Sequence, residues 1–266
     1  MHNAGTVRRV TALATQSFLD QHLAPRARRL AGDAYNRVKT MVLEGDVSPG
    51  ERLSVVDLSR AFGCSRVPIM EALKRLEGEG LVQIEPQVGC RVIVPKPSDV
   101  GDFFEVFAVT EALVARLAAE RRSVTEAREF GRVCAEIDAK LKSAGGPADH
   151  DATYRHVNLL FHTQIHLLAR APEPSRISAG LWDRSDFYIR VAFGSLYFSR
   201  RVRRAHGAVR DAILEGRAID AETAMRGHLQ AVGTAVADEL RKQSANLEMG
   251  RDLRRQTAFV FDRDIG

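Results

Sequence analysis

Apolar positions recur at helical spacing in "AGDAYNRVKTMVLEG", where Ala34, Tyr35, Val38, Met41 and Val42 share one face. Gly45 closes that helix, and "DVSPGERL" reads as a turn punctuated by Pro-Gly. Ser54 is placed to cap a second helix, "SVVDLSRAF", with Asp57 three residues on and Gly63 as its stop. Ser65 is placed to cap a third, "SRVPIMEALKRLEGEG", in which Pro68 falls in the tolerated first turn. The period then changes. "LVQIEPQVGCRVIV" predicts two short strands around Pro86 to Gly89, and "PKPSD", about residues 95–99, reads as a linker.

Beyond the linker the pattern is helical throughout. "SDVGDFFEVFAVTEALVARLAAERR" predicts one long amphipathic helix, and Ser123-Val-Thr-Glu126 is a capping box opening the next. A third covers about 149–170, "APEPS" breaks the chain before "RISAGLWDRSDFYIRVAFGSLYF", and two more follow at about 199–216 and 218–242. The prediction is a mostly α protein. A winged helix-turn-helix at 26–95 precedes an all-helical antiparallel bundle at 96–243, with an extension at 1–25 and a tail at 244–266.

The third helix has two faces. Ile69, Ala72, Leu73 and Leu76 make a stripe to pack on the first two helices, while Arg66, Met70 and Lys74 stand four apart on another side. In a winged helix-turn-helix that second side enters the major groove, first turn nearest the base edges. Ser65 is placed to touch phosphate, and Gly89 at the hairpin tip permits close approach of backbone to DNA. Periodicity alone also fits a small helical domain with a solvated charged face.

Charge placement adds to this picture. The net charge is +5, and residues 1–97 carry 14 Lys/Arg against 10 Asp/Glu, whereas the remainder is nearly balanced. Five arginines and one aspartate fall in the first 30 residues, a basic arm suited to a polyanion or simply to solubility. No run of about 18 apolar residues is present, and the N-terminus lacks a secretion-like apolar segment. The three cysteines, Cys64, Cys90 and Cys134, form no CxxC pair and fit reduced thiols, so a cytoplasmic protein without membrane association is expected.

Candidate ligands lie in the helical part. In "NLLFHTQIH", Asn158, His162 and His166 fall four residues apart on one helical face. His206 starts a later helix and His228 lies on the last, and antiparallel packing would turn both toward the 158/162 face. Three neutral imidazoles and one oxygen suit Zn²⁺, Ni²⁺ or Mn²⁺. Spacing does not choose between this set and the pair His162 with His166, nor between ligands and buried histidines held by hydrogen bonds. No carboxylate stands beside the cluster in the motif to act as a general base, so an enzyme is not expected.

"VSPGERLSVVDLSRAFGCSRVPIMEALKRLEGEGLVQIEPQVGCRV" resembles the DNA-binding domain of GntR-family bacterial transcription regulators. The shared pattern runs PGxxL, a G-V-S-R-x-P segment, E-A-L-x-x-L-xxxG-L and a wing glycine. Residues 98–242 look like the all-helical FCD effector domain of the FadR subfamily, through "EVFAVTEALVARLAAE", "NLLFH" and "HGAVRDAILEGRAIDAETAMRGHL". The resemblance implies DNA binding through Ser65, Arg66 and Gly89. It also implies a divalent metal on the Asp-His-His-His pattern, here Asn158, His162, His206 and His228, with His166 outside it. A homodimer on a palindromic double-stranded operator and a small-molecule effector, an organic acid or sugar derivative, are expected with it.

Several positions depart from that pattern. Met70 stands where Arg is frequent and Val67 where Thr is, which alters the base sequence read. Asn158 replaces the usual aspartate, a weaker neutral ligand, so the histidines alone holding an anion is an alternative. Phe107 and Thr110 replace Arg and Leu. With that arginine lost, either the effector is different or less acidic, or another arginine such as Arg116 or Arg190 contacts it. The other reading is a DNA-binding dimer whose helical domain no longer binds metal or effector.

Overall fold

The computed structural model describes residues 25–85, 89–143, 147–194 and 200–261. The expected basic extension therefore lies almost wholly outside the described residues, as do Pro86 to Val88 of the hairpin tip. Helix α1 (Pro25–Glu44) buries Ala34, Tyr35, Val38 and Val42 on one face and ends at Gly45, whose φ of +83° is costly for any residue with a Cβ. Helix α2 (Val55–Phe62) starts where Ser54 Oγ accepts from the Asp57 amide at 3.2 Å, and stops at left-handed Gly63. Helix α3 (Arg66–Gly78) buries Pro68, Ile69, Ala72, Leu73 and Leu76 against α1 and α2. Ser65 occupies its N-cap position, but the hydroxyl makes no capping hydrogen bond.

The wing has one strand more than the alternation of polar and apolar positions predicts. Strands β2 (Val82–Glu85) and β3 (Gly89–Val92) pair antiparallel, and β1 (Arg52–Leu53) joins β3 on its other edge, giving the order β1-β3-β2. Two residues are too few to show an alternating pattern, so β1 reads as part of the "DVSPGERL" turn until β3 is there to pair with it. The link to the second half is also shorter than "PKPSD" suggests. Helix α4 (Pro97–Arg121) begins at its second proline, a position where the missing N–H costs nothing.

Helix α4 is the axis of the bundle. It buries Val100, Phe103, Phe104, Phe107, Ala108, Ala112, Val114, Ala115, Ala118 and Ala119, wrapped by later helices on most sides. The Ser123–Glu126 box opens α5 (Val124–Ser143) with reciprocal bonds of 2.7 and 3.2 Å. Helices α6 (Pro147–Ala169), α7 (Pro172–Phe193), α8 (Arg200–Glu215) and α9 (Ala218–Phe261) follow. The α4–α9 contact is the most extensive, and Gly233 makes it possible: a Cβ there would stand 2.4 Å from Phe104 Cβ. Helix α9 continues past residue 242, where the apolar stripe ends with Val236, Ala237 and Leu240, so helical backbone persists where the pattern that announces it has faded. The protein is thus a winged helix-turn-helix followed by a helical bundle.

Candidate DNA-reading helix and candidate metal centre

The stripe that buries one side of α3 leaves the other in solvent. Arg66 and Lys74 are exposed, Met70 is half-buried between them, and Ser65 is exposed at the helix start. The first turn therefore presents Arg66 beside unpaired backbone amides and the positive end of the helix dipole, a combination suited to phosphate or guanine. Lys74 is held only loosely, 3.5 Å from Glu71 at the surface. Gly89 opens β3 opposite Glu85, exposed and with φ +130°, a conformation reserved for glycine.

The helical half hides its chemistry. His162 of α6, His206 of α8 and His228 of α9 are all buried, and one nitrogen from each falls within a 4.8 Å group. His206 Nε2 and His228 Nε2 are 3.1 Å apart. Two nitrogens bound to one tetrahedral ion at 2.0–2.1 Å lie about 3.3 Å apart, so the pair fits a shared ion. Burial disfavours the charged form of every member. It pushes His228 down to about 3, with His162 adding to the effect and Glu111 opposing it. His206 is held well below its ordinary value by burial and by its two histidine neighbours, and His162 is lowered by burial against the pull of Glu111. Neutral imidazoles carry lone pairs, which is what a metal requires.

Glu111 is the residue missing from the sequence reading, which places no carboxylate next to the histidines. It rises from α4 into the core, fully buried, with Oε2 3.3 Å from His162 Nδ1 and Oε1 2.8 Å from His166 Nε2. Ser178 Oγ of α7 donates to the same carboxylate, and His166 Nδ1 meets Ser175 Oγ at 2.8 Å. Burial alone would raise the Glu111 pKa. The attraction of His166 and hydrogen bonds from both histidines outweigh it and hold the carboxyl well below its usual range. An ionised carboxylate only accepts, so His162 Nδ1 donates and His162 Nε2 is left with a lone pair. That Nε2 is buried without a hydrogen-bond partner among the described residues. His166, outside the expected ligand set, is thus a support for Glu111. A signal was present: Glu111 is a lone acid four residues after Phe107 and three before Val114, on the apolar stripe of α4.

Asn158 stands one helical turn before His162, half-buried on α6. The position of Phe107 is filled by packing, its ring 4.9 Å from Trp182 and edge-on to it. Arg116 reaches Glu120 and Glu222 at 3.8 and 3.6 Å, and Arg190 lies over Gly45 beside α1. Neither lines the cavity of about 220 Å³ that opens beside His206, which is walled by Phe161, Ile137 and Leu141 with Arg203, Arg210 and Asp138 at its polar side. Arg210 is also paired with Asp211 at 2.8 Å.

Comparison with known proteins places each half. Residues 30–92 match the model for bacterial regulatory proteins of the gntR family, and residues 102–231 match the FCD domain. The HTH-type transcriptional regulator LutR of Bacillus subtilis is 27% identical over 216 residues, covering 71% of this chain and 93% of that protein. YdhC of the same organism, also named as an HTH-type transcriptional regulator, is 32% identical over 92 residues, 35% of this chain. That alignment spans 41% of YdhC, and a second, to a regulator of Agrobacterium vitis, spans 50% of its relative. Among solved structures, E. coli McbR/YncC superposes with a TM-score of 0.57 at 17% identity, over 84% of this chain and 98% of that one. A GntR regulator from Rhodococcus gives 0.54 at 19% identity, over 84% and 97%. Both show a shared fold.

Proposed function

The chain belongs to the GntR family of bacterial regulatory proteins, with an FCD domain behind its winged helix-turn-helix, and from that premise we propose that it is a transcription regulator whose operator affinity is set at the His162–His206–His228 centre. The observation that carries the metal reading is the commitment of His162 Nδ1 to ionised Glu111, which leaves Nε2 buried and unpartnered beside two neutral imidazoles. A cation satisfies that nitrogen. An anion held by the histidines alone would meet three imidazoles that resist protonation and a buried negative charge behind them, so the site favours a divalent ion such as Zn²⁺, Ni²⁺ or Mn²⁺. When bound, the ion would supply a Lewis-acidic anchor for an effector.

Around it the chain's own residues divide the work. Glu111 orients His162, and His166 with Ser178 holds Glu111 in place. Because that carboxylate is taken up by three partners, a holding role fits it better than proton abstraction, which supports a regulator over an enzyme. The cavity beside His206, apolar with Arg203, Arg210 and Asp138 at its rim, offers Arg203 as the cation for a small organic acid or sugar acid, since Arg210 is already paired with Asp138 and Asp211. Arg66, Met70 and Lys74 read the operator, with Ser65 and Gly89 on phosphate, as a homodimer on a palindrome in the cytoplasm. Among the described residues no helix is long and apolar enough to cross a membrane.

Two observations favour a second reading. Phe107 fills with aromatic packing the position where the family pattern often has an arginine, and Asn158 is uncharged. A DNA-binding dimer with a silent helical domain would carry both features. Calorimetric titration of Zn²⁺ or Ni²⁺ into chelator-treated protein, repeated on His206→Ala, separates the two. The parent protein binds and the variant does not; equal heats from both would remove the metal role.

A further inference from the structure

Helix α7 touches the buried histidine centre with one face and the DNA-reading domain with another. Ser175, Ser178 and Trp182 fall at positions i, i+3 and i+7, a single helical face. Ser175 bonds His166, Ser178 bonds Glu111, and the Trp182 ring lies 4.3 Å from that of His162. The next residue, Asp183, is about a quarter-turn round the helix. Its carboxylate meets Lys39 Nζ of α1 at 2.5 Å, and Lys39 in turn meets Glu79 Oε2, at the end of the DNA-reading helix α3, at 2.9 Å. Tyr35 donates to the same Glu79 at 2.7 Å, and the Arg75 guanidinium lies 3.5 Å over the Tyr35 ring. Arg184 packs so closely over left-handed Gly80 that a Cβ there would stand 2.8 Å from its Cζ.

These contacts are not loose surface pairs. The Lys39 and Asp183 side chains are 16% and 30% exposed, and Glu79 is 23% exposed. A partly desolvated pair is screened less by salt and is more sensitive to position than one in open water. Between the histidine centre and the reading helix there is thus a continuous run of packed groups: His162, Trp182, Asp183, Lys39, Glu79. A shift of α7 that follows a change at His162 or Glu111 acts on Lys39, alongside the Arg184–Gly80 and Arg190–Gly45 contacts.

Resting on the regulatory reading above, we infer that α7 is the element that couples the two sites, and that Asp183 and Lys39 are its positioning residues. Occupancy of the histidine centre sets where α7 lies. The Asp183–Lys39 pair converts that position into the placement of α3. Because coupling between binding sites is reciprocal, operator DNA must change metal affinity by the same factor that metal changes operator affinity.

Trp182 is the chain's one tryptophan and sits between the two ends of the run, so its emission reports on the centre directly. The test uses full-length, chelator-treated protein and a duplex selected from random sequence by the parent protein. Zn²⁺ is titrated with and without saturating duplex while Trp182 emission is followed. In the parent, duplex changes the apparent Zn²⁺ affinity by roughly fivefold or more, within the usual range of coupled sites. In Asp183→Asn the factor collapses toward one, while Zn²⁺ affinity without DNA stays within roughly twofold of the parent, because no ligand is touched. Lys39 keeps Glu79 and Tyr35 in that variant, so the reading domain retains its internal contacts. Asp183→Glu restores the coupling. An undiminished factor in Asp183→Asn, or a parent that binds Zn²⁺ and duplex with no mutual effect, overturns this inference alone. A parent that takes up no Zn²⁺ fails the metal reading, and this inference with it.

Discussion

The two halves of the molecule store their chemistry in opposite ways. In the winged helix-turn-helix, α3 gives one face to packing and leaves the other free for the proposed recognition of DNA: Ile69, Leu73 and Leu76 are sealed while Arg66 and Lys74 stand in water. In the bundle the same volume serves both purposes. His162 and Glu111 are as buried as the phenylalanines beside them, and the Phe161 ring stacks on His206 at 4.6 Å. Function and stability are therefore separable in the first half and entangled in the second.

Substitutions can break that contrast or sharpen it. The largest effect is expected at the centre: His206→Ala lowers Zn²⁺ affinity by roughly 100-fold or more, beyond the 10–100-fold typical of losing a supporting partner, as read by calorimetry. It also shifts the melting temperature of the metal-free protein, since a buried ring leaves a hole. A variant that loses metal with an unchanged melting curve would contradict the entanglement. Glu111→Gln keeps the shape and removes the charge behind His162, and its Zn²⁺ affinity falls by about 10–100-fold. Full affinity there would mean that His162 needs no orienting partner. On the exposed side, Arg66→Ala costs about 1–3 kcal/mol of operator affinity in a mobility-shift assay, with the melting temperature unmoved. Unchanged affinity for a defined operator would remove α3 from the interface. A change of comparable size is one of stability alone. Gly233→Ala forces α9 away from Phe104 and destabilises the bundle by about 1–3 kcal/mol in urea unfolding.

How much of this is legible without coordinates follows the same divide. The faces of α1 and α3, the Ser54 cap and the Ser123–Glu126 box are local patterns, readable because each depends on residues within a turn or two. Strand β1 is invisible because it exists only by pairing with a strand nearly 40 residues later. The histidines could be nominated by spacing and by family resemblance, but three helices must pack before His206 and His228 face one another. Glu111 escaped for a related reason. A single acid on an apolar stripe reads as a flaw in the pattern until α6 and α7 supply the partners that make its burial tolerable. Arg116 and Arg190 show the converse: arginines at plausible positions in the chain, occupied with Glu222 and with the end of α1.

Gly80 carries a consequence for genetics. Its φ of +71° strains any residue with a Cβ, and a Cβ there would push the Arg184 guanidinium aside, yet it lies outside both the proposed operator face and the histidine centre. An alanine there strains the turn after α3 and displaces the Arg184 guanidinium of α7, without touching the proposed sites themselves. On the proposed regulation, a selection for alleles that are deaf to their signal but still bind DNA should return changes at Gly80 together with Asp183, a class of mutant distinct from those lost at the proposed metal ligands or at Arg66.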